Sequence, residues 1–204
     1  MDVTTTGKHR PRAEYVSGII EAGTAACRLY GPSKANVADI ARLLGKSPAS
    51  VYRIFSSKAA IWDAVAGDFL ENNLSFPALA TGGRGDAANC LMQATLGRHQ
   101  LMVQARDRER QMFNLIVLAA EGSWPSFMQY RQRLQADVGE FIRAGIETDE
   151  FASRNVDAAA SCYCASVISL WDPRIIRPTP SSDCGISAQE LASFAVAGLR
   201  KFAC

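Results

Sequence analysis

An all-α fold is expected from three features of this 204-residue chain. Apolar residues recur at three- and four-residue intervals along most of its length, no stretch alternates with the two-residue period of a strand, and helix caps and stops punctuate the periodic stretches. Hydrophobic residues make up 48% and charged residues 21% of the chain, enough core material for a globular protein and far from the balance of a disordered or fibrous one. No apolar run approaches the roughly eighteen residues that cross a bilayer. The first twelve residues are polar and basic, without the apolar stretch of a secretory signal, so the chain is expected to stay in the cytoplasm.

Residues 1–11 read as a flexible basic arm. The first helix then shows its buried face in Val16, Ile19, Ile20, Gly23, Ala26, Cys27 and Tyr30, and Gly31-Pro32 stops it. Glycine tolerates the left-handed conformation of a helix stop, and proline cannot extend the hydrogen-bond ladder. Asn36 caps a second, short helix, with Asp39 three residues on as in a capping box, and Val37, Ile40, Ala41 and Leu44 facing inward up to Gly45. Ser47 caps a third helix that opens with Pro48, where a missing N–H costs nothing, and carries Val51, Ile54 and Phe55 on its apolar side. Ser56-Ser57 breaks and recaps the chain, and a fourth helix runs from Lys58 to about Leu74 on Ile61, Trp62, Val65 and Phe69.

Ala80-Thr81-Gly82-Gly83-Arg84-Gly85 is the first linker. It lacks the preceding strand and the Gly-Lys-Ser/Thr ending of a phosphate-binding loop, so it is read as a connector. Beyond it, helices are expected at about 86–103, 106–121, 124–147, 155–171 and 187–203, with a long loop from Asp172-Pro173 to Gly185 before the last. Two domains result: a three-helix helix-turn-helix unit in 12–75, with its motif at about 36–55, and a larger helical unit in 84–204.

The chemistry concentrates in the two short helices joined by Leu44-Gly45-Lys46-Ser47. A helix of this length fits the major groove of B-DNA, about 12 Å wide, while the helix before it braces against the backbone. Gly45 supplies the positive φ that the turn needs. Ala49, Ser50 and Arg53 present small or polar groups to base edges, and Tyr52 offers a hydroxyl to a phosphate. Lys58 stands at the positive end of a helix dipole, unfavourable by about 0.3–1 kcal/mol unless an anion binds there too. Charge agrees with a polyanionic partner: the first 60 residues hold nine basic and four acidic side chains, in a chain whose net charge is only +2.

The segment Val37-Ala38-Asp39-Ile40-Ala41-Arg42-Leu43-Leu44-Gly45-Lys46-Ser47-Pro48-Ala49-Ser50-Val51-Tyr52-Arg53-Ile54-Phe55-Ser56-Ser57-Lys58 resembles the DNA-binding signature of the tetracycline-repressor (TetR) family. The matching positions are Val37, Asp39, Ile40, Ala41, Gly45, Ser47, Tyr52, Phe55 and Lys58, with Glu21, Ala22 and Gly31 fitting the first helix. The likeness covers about residues 12–70. It implies a DNA-binding transcriptional regulator in which Ser47, Ala49, Ser50, Tyr52 and Arg53 contact double-stranded operator DNA while Asn36 and Lys58 hold phosphates. Lys46 and Ala49 depart from the usual small apolar residue and the usual glycine, which bears on affinity and sequence preference. Cys27 stands where the family carries a core aromatic and is read as a packed thiol.

The remaining two-thirds resembles nothing as closely, and pattern alone speaks. The expected helix at 155–171 carries Val156, Ala159, Ala160, Tyr163, Val167, Leu170 and Trp171 on one face and is apolar nearly all round, as for burial on several sides. With the last helix it is expected to form a four-helix homodimer interface through Tyr163, Val167, Leu191, Ala195, Gly198 and Phe202, the manner in which members of the resembled family dimerise. Methionines and aromatics of the central helices adapt to irregular apolar ligands. On that basis His99, Met102, Met112, Phe113, Phe127, Met128, Tyr130 and Trp171 are the candidates for a small-molecule effector pocket.

The expected outcome is a homodimeric repressor released from DNA by an apolar or aromatic effector, without cofactor or metal. Six cysteines are scattered without a C-x-x-C pair, and neither histidine lies at zinc-ligand spacing from them. A thiol-based redox regulator using Cys162, Cys164 or Cys184 is the alternative. An all-helical enzyme or ligand carrier is the third reading. No Ser-His-acid order, metal set or carboxylate pair supports it.

Overall fold

Ten helices and no strand occur among the described residues, 12–77, 86–176 and 185–201, of this computed structural model. The expected arm, the glycine-rich linker, most of the proline-rich loop and the chain end from Phe202 lie outside them.

The first four helices follow from local chemistry. α1 (Arg12–Tyr30) ends at Gly31, whose φ of +79° is the left-handed stop. In α2 (Val37–Leu43), Asn36 and Asp39 cap each other reciprocally, at 3.0 and 3.1 Å. Gly45, at φ +63°, then closes a turn in which the Gly45 N–H donates to Arg42 and the Lys46 N–H to Ala41. That paired bonding satisfies carbonyls the helix would otherwise orphan. Ser47 caps α3 (Pro48–Tyr52), and Ser57 caps α4 (Lys58–Asn73) through the Ala60 N–H at 3.1 Å.

Six further helices complete the chain: α5 (Ala87–Arg108), α6 (Arg110–Glu121), α7 (Pro125–Glu147), α8 (Val156–Ser166), α9 (Ile168–Trp171) and α10 (Ala188–Leu199). Four boundaries differ from expectation, among them the start of α6, at Arg110 instead of about 106. α5 runs on to Arg108, because Met102 and Ala105 extend its buried stripe and Arg106 and Arg108 suit the negative end of the helix dipole. The helix expected at 155–171 is two helices with a break at Val167. There Ser166 Oγ donates to the Cys162 carbonyl at 2.8 Å, a side-chain bond that bends helices, and β-branched Val167 follows it. The last helix stops at Leu199 instead of 203.

Packing does not divide at the linker. One core joins α1–α4 to α6, the end of α5 and the start of α7, burying Ile19, Ile40, Val51 and Ile61 with Met112, Leu115 and Ile116. The second joins the start of α5 to the rest of α7 and to α8, α9 and α10, around Leu91, Val138, Ile142, Tyr163 and Val167. Each fully buried large aliphatic among these contributes roughly 1.5–3 kcal/mol.

Polar contacts also tie the first four helices to the later ones. Asp63 of α4 accepts the Ser126 N–H at 3.0 Å, satisfying a donor at the start of α7, and Glu71 pairs with Arg133 farther along. Arg28 of α1 grips Glu109, the residue between α5 and α6, through both carboxylate oxygens at 2.9 and 3.0 Å.

Candidate nucleic-acid interface and a cavity between α7 and α8

The apolar residues of α2 and α3 anchor the motif and thereby decide what faces outward. Val37, Ile40, Ala41 and Val51 are buried, and Leu44, Ile54 and Phe55 are half-buried against the same core. Turned the other way, Asn36, Ser47, Ala49, Tyr52 and Arg53 are exposed and Ser50 is half-buried. Tyr52 leaves 47% of its surface open, far more than a packed core ring would. Ser47 Oγ lies 3.0 Å from Ser50 Oγ, and Arg53 Nη2 donates to Ser50 at 3.2 Å, so a chain of hydroxyl and guanidinium groups runs along this face. Arg42 is held aside by Asp39 at 2.9 Å and by the Tyr30 hydroxyl at 3.3 Å. Lys58 places its ammonium 5.9 Å from the Trp62 ring centre, so it leans on its own helix at the capped N-terminus. A short helix projecting donors from a basic surface has the shape and charge to enter a duplex groove.

A cavity of about 390 Å³ opens between α7 and α8. Of the eight residues expected to line a pocket, Phe127, Met128, Tyr130 and Trp171 border it, joined by Arg98, Leu134, Cys164, Ile168 and Asp172. The other four lie elsewhere. Met102, Met112 and Phe113 are packed into the first core, where methionine and phenylalanine simply fill volume. His99 is half-buried with Nδ1 3.0 Å from the Leu170 carbonyl, a structural contact.

Arg98 is the site residue that sequence reasoning missed. It is 0% exposed, and its guanidinium lies 5.3 Å from the Tyr130 ring centre and 5.4 Å from that of Trp171. Its Nη2 donates to the Tyr130 hydroxyl, which in turn donates to the Leu74 carbonyl at 2.8 Å. Nε and Nη1 have no protein partner. Burial pushes the Arg98 pKa down and the Tyr130 pKa up. The available signal was an arginine on the buried stripe Leu91, Ala94, Thr95, Arg98, Met102, Ala105 of α5.

Three of the residues expected at a dimer interface belong instead to the core of their own chain. Tyr163 (2% exposed) and Val167 (0%) are core residues of their own chain, and Tyr163 Oη lies 2.7 Å from Thr95 Oγ1 of α5. Ala195 is buried as well and Leu191 half-buried, while Gly198 is exposed and Phe202 falls outside the described residues. The break at Val167 and the packing on α5 turn the large side chains inward. What faces out is Cys162 and Ala165 of α8 with Phe194, Ala197 and Gly198 of α10, and Phe194 is 75% exposed.

Burial also bears on the thiols. It raises the Cys27 pKa to about 11, against the opposing effect of Arg28, and raises that of Cys164 to about 11, against Arg98 and Arg131. Both stay protonated near neutral pH and make poor redox sensors. Cys162 is exposed, and Cys184 lies outside the described residues. Among the described residues, no group of three or more His, Cys, Asp or Glu is placed to hold a metal, and no helix is long and apolar enough to cross a membrane.

An outward-facing helix-turn-helix on a helical body with its own cavity defines a DNA-binding transcriptional regulator. Comparison with known proteins narrows the class. Residues 19–65 match the bacterial regulatory proteins of the tetR family, and residues 87–190 match the tetracyclin repressor-like C-terminal domain. The chain belongs to the TetR family. No curated protein matches it. Among solved structures, a protein from Mesorhizobium loti described as a TetR-family transcriptional regulator is similar, with a TM-score of 0.60 and 16% identity over 93% of this chain and 96% of that one. A protein from Pseudomonas aeruginosa described as a transcriptional regulator gives 0.61 at 17% identity, over 95% and 93%. A transcriptional regulator from Cytophaga hutchinsonii gives 0.58 at 23%, over 91% and 96%. At these identities the likeness is one of fold.

Proposed function

We propose that this regulator is a cytoplasmic homodimeric repressor that leaves its operator when a small molecule enters the α7–α8 cavity. The reading divides the labour between residues 12–75, which bind DNA, and 84–204, which dimerise and hold the effector. The observation that carries it is the outward face of α3: Ser47, Ala49, Ser50, Tyr52 and Arg53 stand free of the core, with Asn36 and Lys58 at flanking helix starts where phosphates bind. Two such faces, about 34–36 Å apart, would read the half-sites of a two-fold operator. The exposed apolar strip on α8 and α10, centred on Phe194, supports a second copy as the partner.

Release follows from where the cavity sits. α7 lines it, and α7 is fastened to α4 by Asp63–Ser126 and Tyr130–Leu74. α4 begins directly after the DNA-reading helix, so an effector that favours another α7 position favours another spacing between the two reading helices. Such coupling typically amounts to about 1–3 kcal/mol.

A gel shift with the full chain on the DNA flanking its own gene tests the reading. Sequence-selective complexes whose affinity falls steeply with salt are expected. Absence of any selective, salt-sensitive complex would overturn it.

A further inference from the structure

We propose that the α7–α8 cavity takes an amphipathic carboxylate, an aliphatic or aromatic body whose anionic head pairs with Arg98. The proposal rests on the reading of this cavity as the effector site.

Arg98 is completely buried, yet only one of its nitrogens has a protein partner, and that partner is a neutral hydroxyl. A buried arginine is tolerated when a carboxylate or several acceptors compensate it, and otherwise a leucine or methionine fills the same space at less cost. The acidic residue in the lining does not compensate it. Asp172 is engaged by Arg174, Nε at 2.9 Å on one oxygen and Nη2 at 2.5 Å on the other. The guanidinium faces aromatic rings of Tyr130 and Trp171, which hold its plane but satisfy no N–H. A bound anion is the missing acceptor, and a carboxylate matches a guanidinium in shape and charge.

The rest of the lining sets the body of the ligand. Phe127, Leu134, Ile168 and Trp171 offer apolar surface, and the volume of about 390 Å³ suits a small amphiphile. Arg131, exposed at the rim, adds a second positive charge on the approach. The other polar side chains of the lining, Gln132, Gln135 and Ser161, are exposed, and Gln135 donates to Ser161 at 3.0 Å, so the buried positive charge bordering the cavity is that of Arg98.

The test uses the full-length protein and two matched pairs of probes, 4-phenylbutyrate against 4-phenylbutyramide and octanoate against octanamide, titrated calorimetrically. Each acid is expected to bind roughly ten- to hundredfold more tightly than its amide, the range of a charge-assisted hydrogen bond. Arg98→Met, which keeps volume and removes the charge, should bring acid and amide to equal affinity. Arg98→Lys should keep part of the difference. Equal binding of acid and amide to the wild-type protein, or an unchanged ratio in Arg98→Met, overturns the anionic ligand while leaving the cavity as an apolar effector site. Failure of all four probes to bind the wild-type protein would overturn both. The wild-type comparison decides the matter even if the methionine variant does not fold.

Discussion

Tyr52 and Arg53 are neighbours at the end of α3 and ask different things of a duplex. A tyrosine hydroxyl on a phosphate carries no sequence information, whereas an arginine fork on a guanine edge does. Tyr52→Ala is therefore expected to weaken binding to every DNA sequence alike. Arg53→Ala should flatten the preference at one base pair by about 1–3 kcal/mol. Fluorescence anisotropy on the operator and its single-base variants separates the two outcomes. These residues were legible from sequence because Val51, Ile54 and Phe55 define the buried side of a very short helix, and the remaining positions have nowhere to face but out. Arg98 was not legible in that way. Its chemistry depends on Tyr130 and Trp171, respectively 32 and 73 positions along the chain, coming to its two sides.

The start of α5 shows how one side chain can serve a whole helix. Glu150 accepts the backbone N–H groups of Asp86, Ala87 and Ala88, at 2.9–3.1 Å, donors that no helical carbonyl satisfies. Burial, the largest single influence, raises its pKa, but those bonds and the Thr148 hydroxyl together outweigh it, so the carboxyl titrates below its ordinary range. A depressed carboxylate pKa stabilises the fold above the unfolded-state value and is lost as pH falls through the folded one. Glu150→Gln should thus lower stability at pH 7 by about 0.5–1 kcal/mol, solvent screening included, and match the wild-type protein once the pH is well below the carboxylate range. Urea denaturation at pH 7 and pH 3 checks both points. Nothing local marks Glu150 as a cap, because its partners precede it by more than sixty residues. The caps Asn36, Ser47, Ser57 and Ser187 are three residues from theirs, close enough for sequence spacing to show them.

Assembly and coupling belong to the molecule as a whole. Phe194→Glu puts a charge into the exposed apolar strip of α10. It should shift sedimentation from a dimer to a monomer and weaken operator binding at low protein concentration, since each half-site alone holds poorly. An unchanged dimer would place the interface elsewhere. Tyr130→Phe removes the hydroxyl between Arg98 and the Leu74 carbonyl, leaving both buried groups short of a partner. It should cost about 1–3 kcal/mol in denaturant unfolding. A variant as stable as the wild-type protein would show that this chain of bonds does not hold α7 to the end of α4.

The all-α class, the helix-turn-helix and its outward residues could be read from one dimension, because helix periodicity, caps and stops act within a few residues of one another. Which methionines fill a core and which aromatics border a cavity depended on how α5, α6, α7 and α8 pack. The same packing turned Tyr163 and Val167 inward, left Phe194 outside, and buried Arg98 without a counter-charge. Those outcomes rest on contacts between residues dozens of positions apart, and side-chain type alone does not say which neighbour a helix face will meet.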